Sequence, residues 1–333
     1  MKKPKILVVG SFVMDQIAST SVFPRQGQTV LGNSFRKAPG GKGANQAVQM
    51  ARLGADVTML GKLGRDANGQ EMRRVCEEAG IHTGHILYDE THASGCAVII
   101  LEENPDGSAQ NRILVIPGAN MTLVPDDVAF LNEDIVQYDM VVLQLEIPMA
   151  VNLAVAQAAH AHGVPVMLNS APSAPLPPAL LQCLTYISPN EHEAEDLTGI
   201  HIRHDGAEFS REDVAAAANA LHGFGIQNVL ITLGSAGAAL STGRELLFAP
   251  CAENIQAVDP TAAGDSFVGA FCTGVCCGWD LRDVLLFANH TAALTVSAMG
   301  AMPSLPPLSA VEDFLKARTG RTVDTSALRE GDL

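Results

Sequence analysis

The 333-residue chain exceeds one average domain yet fits a single large α/β unit, and with 47% hydrophobic and 17% charged residues it can bury a sizeable core. Its formal net charge of −15 argues against a nucleic-acid or anionic-membrane partner, since both recruit Lys and Arg; a bound anion must be met by backbone amides or one placed Lys. No stretch approaches ~18 uninterrupted apolar residues, so no transmembrane helix is expected, and seven scattered Cys without a CxxC pair or secretory signal read as reduced thiols of a cytoplasmic protein.

In chain order, "KILVVG" reads as a first strand. The helical "ANQAVQMARLG" stops at Gly54 and precedes the strand-like "DVTMLGKLG". "GQEMRRVCEEAG" places Met72, Val75, Cys76 and Ala79 on one helical face and ends at Gly80. "MVVLQLE", "VPVMLN", "TYISPN" and "NVLITLG" are further short buried strands, separated by Ala-rich helical stretches around 150–162 and 211–223. Two helices follow from Ala262 to about Met299, broken at "GWDL". This βα rhythm predicts an α/β fold with a largely parallel sheet. Two segments interrupt it, about 11–38 and 92–117. Both alternate apolar and polar residues around turn signals, as a small antiparallel sheet would, and they are read as one lid built from two insertions. The folded domain is placed at 1–318, with 319–333 as a flexible tail because it lacks apolar periodicity.

Two glycine-containing motifs carry the chemistry. "GGKGAN", residues 40–45, precedes a helix; its glycines allow close backbone approach, the helix start presents free amides, and Lys42 and Asn45 add a cation and a two-way hydrogen-bonder. It is not a Walker A loop, because Arg36 stands where the first Gly belongs and Gly43 follows Lys42; "GSFVMD" likewise lacks the second glycine of a dinucleotide fingerprint. In "DPTAAGDSF", Ala262 to Asp265 as a first helical turn would aim amides at one spot where the helix dipole is positive, an anion site suited to a transferring phosphoryl group. Asp265 in that turn could take a proton from an attacking hydroxyl. The plainer alternatives are a loop that merely turns into a helix and an acidic residue favourably placed at a helix start. His160 and His162 suit the end of a helix, and the cysteines of "CTGVCC" suit a helical core.

Together with "VVGSFVMD", "VVLQLEIP", "SPNEHEAEDLTG", "VLITLGSAGA" and "GAMPSLP", the two motifs resemble the ordered signatures of the ribokinase-like (PfkB-type) sugar kinase family over almost the whole chain. The resemblance implies an αβα sandwich with a mostly parallel central sheet and a small β-sheet lid. It implies ATP-dependent phosphorylation of D-ribose or a close pentose at the exocyclic 5-hydroxyl. By it, Asp265 would be the base and Ala262, Ala263 and Gly264 the anion hole. Asp15, Gly41, Lys42, Asn45 and Glu146 would hold the sugar hydroxyls, with Asn190 and Glu193 near the phosphates and a hydrated Mg²⁺. Thr232, Gly234 and Asn289 would line the nucleotide pocket. Asp259, Thr261, Thr295, Ala298, Gly300 and Ser304 would surround a K⁺, several through carbonyls. The family's lid often pairs between subunits, which implies a homodimer.

One departure bears on the sugar: Val13 stands where the family's ribose-phosphorylating members carry Asn two residues before the aspartate. A kinase of another pentose such as 2-deoxyribose therefore remains an alternative. A nucleoside kinase of the same fold would favour aromatics near the lid, whereas the single Trp279 lies far from those segments. A non-catalytic sugar-binding regulator would gain nothing from a base at Asp265.

Overall fold

Four consecutive apolar residues after Lys5 leave no polar face to β1 (Lys5–Val9), and Ile6 to Val9 are all fully buried. Such a strand must be covered on both sides, which the fold provides. The computed structural model describes residues 2–103, 109–205 and 208–329. After β1 come β2 (Val13–Thr20), β3 (Ser34–Gly40), α1 (Lys42–Arg52), β4 (Asp56–Gly64), α2 (Ala67–Glu78), β5 (His82–Asp89), β6 (Cys96–Glu103) and β7 (Ala109–Ile116). The middle of the chain forms α3 (Leu131–Asp134), β8 (Met140–Leu143), α4 (Met149–Ala161), β9 (Val166–Asn169), α5 (Pro178–Leu181), β10 (Tyr186–Ser188) and α6 (Glu191–Thr198). The last part adds the two-residue strands β11 (His204–Asp205) and β12 (Glu208–Phe209), then α7 (Arg211–His222), β13 (Asn228–Thr232), β14 (Ala238–Ser241), β15 (Leu246–Ala249), α8 (Ala263–Cys276), α9 (Leu281–Val296) and α10 (Leu308–Thr319).

A nine-stranded sheet in the order β15-β14-β13-β10-β9-β8-β1-β4-β5 forms the middle layer. Neighbouring strands pair in parallel except β13–β14 and β14–β15, where β14 alone runs against the rest beside the edge strand β15. Alternation along β1 divides the core: Ile6 and Val8 face residues of α1, α2, α8, α9 and α10, whereas Leu7 and Val9 face α3 to α7. The outcome is the expected αβα sandwich with a mostly parallel sheet.

The interrupting segments supply a separate four-stranded sheet, β3-β2-β6-β7. It differs from the antiparallel expectation in one respect. The hairpins β2–β3 and β6–β7 are antiparallel, but β2 and β6, which join them, run parallel. Both enter from the same edge of the large sheet, so they leave the body in the same direction. Asn120 pins that crossing: its Oδ1 accepts from the Phe12 amide at 2.9 Å, and its Nδ2 donates to the carbonyls of Phe12 and Pro117.

The expected loose tail does not begin at 319. Val323 packs against the core, Ala327 and Leu328 are buried, and the Leu328 carbonyl lies against Gly54. Trp279 Nε1 donates to the Asp324 carbonyl at 2.6 Å, and Arg329 pairs with Glu312 at 2.7 Å. Three apolar residues in irregular spacing dock a short turn, and irregular spacing has no period for a sequence reading to detect. Residues 330–333 lie outside the described residues.

Candidate active site

The carboxyl ends of the parallel strands converge on one rim, the edge where open α/β sheets bind ligands. Ser11 and Phe12 leave β1 there, Gln144 to Glu146 leave β8, Asn169 ends β9, Asn190 follows β10 and Thr232 ends β13. The amino end of α8 points into the same place. Ala262 is the N-cap in the left-handed conformation (φ 62°), unusual for a residue with a Cβ. Ala263 N–H donates to Pro260 and Ser266 N–H to Ala262, so the amides of Gly264 and Asp265 have no acceptor among the described residues. A Cβ built on Gly264 would meet nothing within 4 Å, because that face opens into a cleft of about 230 Å³. Lys42, Asn169, Asn190, Glu193, Thr232 and Asp265 are among the groups lining it.

Asp265 is 7% exposed and held at both oxygens: Oδ2 accepts from Asn45 Nδ2 at 2.8 Å and Oδ1 from Gln46 Nε2 at 3.0 Å. Burial pushes its carboxyl above the ordinary value, while Lys42 and the two amides pull the other way. Burial also pulls the Lys42 ammonium down, but the carboxylates of Asp265, Glu146 and Glu193 outweigh it and raise it overall. The pair therefore holds a firmly charged lysine beside a carboxylate of elevated basicity.

The glycines of "GGKG" are fixed by crowding. Gly41 has φ 94°, and a Cβ there would come within 2.6 Å of the Val13 amide; one on Gly43 would come within 2.6 Å of the Ser11 amide. This close approach lets α1 begin directly against the β1–β2 connection. Glu146 Oε2 accepts from the Lys42 amide at 2.9 Å and from the Ser11 hydroxyl, so it secures the loop as well as facing the rim. Asp15 on β2 has its carboxyl pushed up to about 6 by burial, with Glu146 and Asp259 adding repulsion. Val13 lies two residues earlier on the same strand face and is 5% exposed.

Asn190 and Glu193 form a reciprocal cap on α6. Asn190 Oδ1 accepts from the Glu193 amide at 2.8 Å, while Glu193 Oε2 accepts from the Asn190 amide at 3.0 Å and Oε1 from Asn190 Nδ2 at 2.9 Å. Both still line the cleft, as does Thr232, which bridges to Asn190. Gly234 and Asn289 are not part of its lining. Gly234 starts a short turn at φ 54°, and Asn289 on α9 donates to the carbonyls of Ala249 and Pro250, each at 3.0 Å.

The residues of the expected cation site lie on the loop before α8 and on the segment from the last turn of α9 to Ser304, which the fold ties together. Asp259 Oδ2 accepts from the Gly300 amide at 2.9 Å, and the amides of Val258 and Asp259 donate to Val296. Asp259 Oδ1 accepts from the amide and hydroxyl of Thr261, and although burial works against it, these bonds hold its carboxyl below the usual range. Thr295 donates its hydroxyl to Ser266 and Thr291, Ser304 donates to Ala301, and Ala298 N–H meets the Thr295 carbonyl.

Sequence reasoning missed four polar groups at the rim: Ser11, Gln46, Gln144 and Asn169. Gln46 and Gln49 are fully buried on α1 beside Ala44, Ala47 and Val48. A polar residue inside an otherwise apolar helical face is the signal that could have marked Gln46.

Comparison with known proteins agrees with this geometry. The pattern described as pfkB family carbohydrate kinase matches residues 3–308. The chain is 39% identical over 317 residues to a ribokinase of Schizosaccharomyces pombe, covering 92% of this chain and 96% of that one. It is 37% identical over 311 residues to a ribokinase of Bacillus subtilis, covering 93% and 99%. The solved structure of Arabidopsis thaliana ribokinase complexed with ribose and ATP superimposes with a TM-score of 0.84 at 33% identity, covering 95% of this chain and 99% of that one. With a buried, amide-held carboxylate at a helix amino end beside a lysine, and with likeness along nearly its whole length, this chain belongs to the pfkB family of carbohydrate kinases.

Proposed function

We propose that this chain transfers the γ-phosphoryl group of ATP to the 5-hydroxyl of D-ribose. The observation that carries the reading is Asp265, ionisable and buried, at the free amides of α8 and within reach of Lys42. The sugar hydroxyl loses its proton to Asp265, its oxygen bonds the γ-phosphorus, the bond to the β-phosphate oxygen breaks and ADP leaves. Such a transfer demands positioning and charge neutralisation more than covalent chemistry. The free amides of Gly264 and Asp265, with Ala262 and Ala263 shaping the turn that aims them, meet the developing negative charge, and Lys42 adds a fixed positive one. Asp15, Gly41, Asn45 and the free oxygen of Glu146 receive the sugar hydroxyls. Asn190 and Thr232 receive the phosphates, Glu193 faces them through a hydrated Mg²⁺, and Gly234 and Asn289 border the base.

The donor set fits Mg²⁺ in a particular way. Among the described residues no group of three or more His, Cys, Asp or Glu side chains could hold a metal, so a divalent ion would be held by the nucleotide's phosphates, with waters reaching Asn190 and Glu193. It would neutralise phosphate charge during transfer. The segments 259–261 and 295–304 would hold K⁺: the Gly300 amide ties them at Asp259, whose carboxyl is held below the usual range, and the carbonyls of Ala298 and Gly300 would supply neutral oxygen donors. The ion would organise the neighbouring anion hole without touching the sugar.

The small sheet acts as a lid and as a dimer surface. Phe35, Val98, Leu114 and Ile116 project from one of its faces, between 39% and 64% exposed, an apolar area suited to a second copy of the chain. Free thiols at all seven cysteines suit a cytoplasmic setting. Among the described residues no helix is long and apolar enough to cross a membrane.

The test is ADP release with ATP and a panel of pentoses, hexoses and nucleosides, run on the parent and Asp265→Asn. Ribose should give the highest kcat/KM, and the variant should lose about 10²–10⁴-fold in kcat with sugar affinity changed far less. Near-normal turnover by the variant would remove Asp265 from the mechanism. Sedimentation should give a dimer that Leu114→Glu dissociates.

A further inference from the structure

We infer that Gln46, held by Gln144, is a positioning residue that sets the direction and basicity of the Asp265 carboxylate. The inference rests on the reading of Asp265 as the base.

Gln46 is fully buried on α1, and every hydrogen-bonding atom of its amide that faces the rim is engaged. Its Nε2 donates to Asp265 Oδ1 at 3.0 Å and to Asn169 Oδ1 at 3.2 Å; its Oε1 accepts from Gln144 Nε2 at 2.7 Å. Asn169 in turn donates Nδ2 to the Ser188 carbonyl at 2.9 Å, which fixes its own orientation. The chain of amides therefore has one direction. Flipping Gln144 alone would set its Oε1 against Gln46 Oε1. Flipping both would set Gln46 Oε1 against the Asp265 carboxylate. Two acceptors in contact repel, so the negative charge on Asp265 selects the arrangement seen.

The chain also carries a cost at its far end. Gln144 Oε1 is buried with no hydrogen-bond partner. A buried orphan acceptor is unfavourable, and reversing Gln144 would not relieve it, because its Oε1 would then face Gln46 Oε1 and the donation to Gln46 would be lost. A pair kept merely for packing would not need amides at these two positions. Asn45 already satisfies Oδ2, so Gln46 supplies the second point that fixes the plane of the carboxylate. With one hydrogen bond on each oxygen, the remaining lone pairs can point in only a narrow range of directions. The same bond favours the ionised form against the burial that disfavours it.

The experiment is the pH dependence of kcat for the parent, Gln46→Met and Gln144→Met, combined with a double-mutant cycle against Asp265→Asn. Met keeps the length of Gln and removes the donor. In Gln46→Met the acidic limb of kcat should move up by about one pH unit and the plateau should fall on the order of tenfold, with the sugar KM little changed. Gln144→Met, which frees the Gln46 amide to turn, should move the limb in the same direction by less. In the Asp265→Asn background, Gln46→Met should lower kcat no further, because its effect passes through the carboxylate. An unmoved limb, or an equal loss in both backgrounds, would overturn the assignment and leave Gln46 as packing. If Gln46→Met fails to fold, the limb in Gln144→Met decides. A near-normal kcat in Asp265→Asn alone would instead refute the base itself, a separate result.

Discussion

Replacing Asp15 by Asn should stabilise the free protein while impairing it as a kinase. The Asp15 carboxyl is raised from 3.8 to about 6, first by burial and then by Glu146 and Asp259. A shift of roughly two units corresponds to about 3 kcal/mol against the fold at neutral pH, and solvent at the rim reduces this to about 1–2 kcal/mol. The sign follows from which state holds the proton more tightly. The folded chain does, so the penalty is absent below the unfolded value of 3.8, grows as pH rises through about 6 and is fully present above that. Asn keeps the shape and carries no charge, so the variant should melt about 2–6 °C above the parent at pH 7.5. The difference should fall to about half by pH 5. The sugar KM should rise on the order of 10²-fold, because a charged acceptor of hydroxyl protons is lost. Thermal melts at the two pH values and a sugar titration at saturating ATP measure both effects. A variant that melts no higher than the parent at pH 7.5, or by an amount unchanged at pH 5, would refute the account of Asp15 as a strained ligand group.

Val13→Asn restores a hydrogen-bonder on the strand face of Asp15, so the ribose over 2-deoxyribose ratio of kcat/KM should rise by a few-fold to roughly tenfold; an unchanged ratio would mean that Val13 does not face the sugar. Gly264→Ala meets no neighbour within 4 Å, so the fold should tolerate it, yet its methyl enters the cleft and kcat should fall at least tenfold; circular-dichroism melts and steady-state rates separate the two effects. Exchanging Na⁺ for K⁺ at constant ionic strength should raise activity from stringently K⁺-free protein, and equal rates in the two salts would remove the cation from the anion hole's organisation. Alkalinisation from pH 5 to 7 should lower the sugar KM as Asp15 ionises near pH 6; a KM flat across that range would mean that Asp15 binds in either form.

The layered α/β framework was legible in the sequence because β1 is uniformly apolar and α2 carries Met72 and Cys76 at helical spacing, and both patterns follow from local geometry. The start of α8 was legible to within a residue, although the left-handed Ala262 was not, since an Ala gives no hint of positive φ. The convergence of Asp265, Asn45, Lys42 and Glu146 came from motif resemblance; no spacing rule brings together residues 220 positions apart, as Asn45 and Asp265 are. The parallel β2–β6 pairing escaped notice because alternation reports burial and is silent on strand direction. Asn190 and Glu193 stand at the N-x-x-E spacing of a capping box, so their mutual hydrogen bonds were readable.

The docked turn beyond α10 has a practical meaning for anyone handling the protein. Cutting the chain after Arg318 would remove Val323, Ala327 and Leu328 from their seats and strip the partner carbonyl from the Trp279 indole. Uncovered apolar surface near Gly54 and α9 invites aggregation during expression. An affinity tag or fusion partner belongs after Arg329, whose ion pair with Glu312 closes the turn, and a flexible spacer there keeps the added sequence from prying it loose.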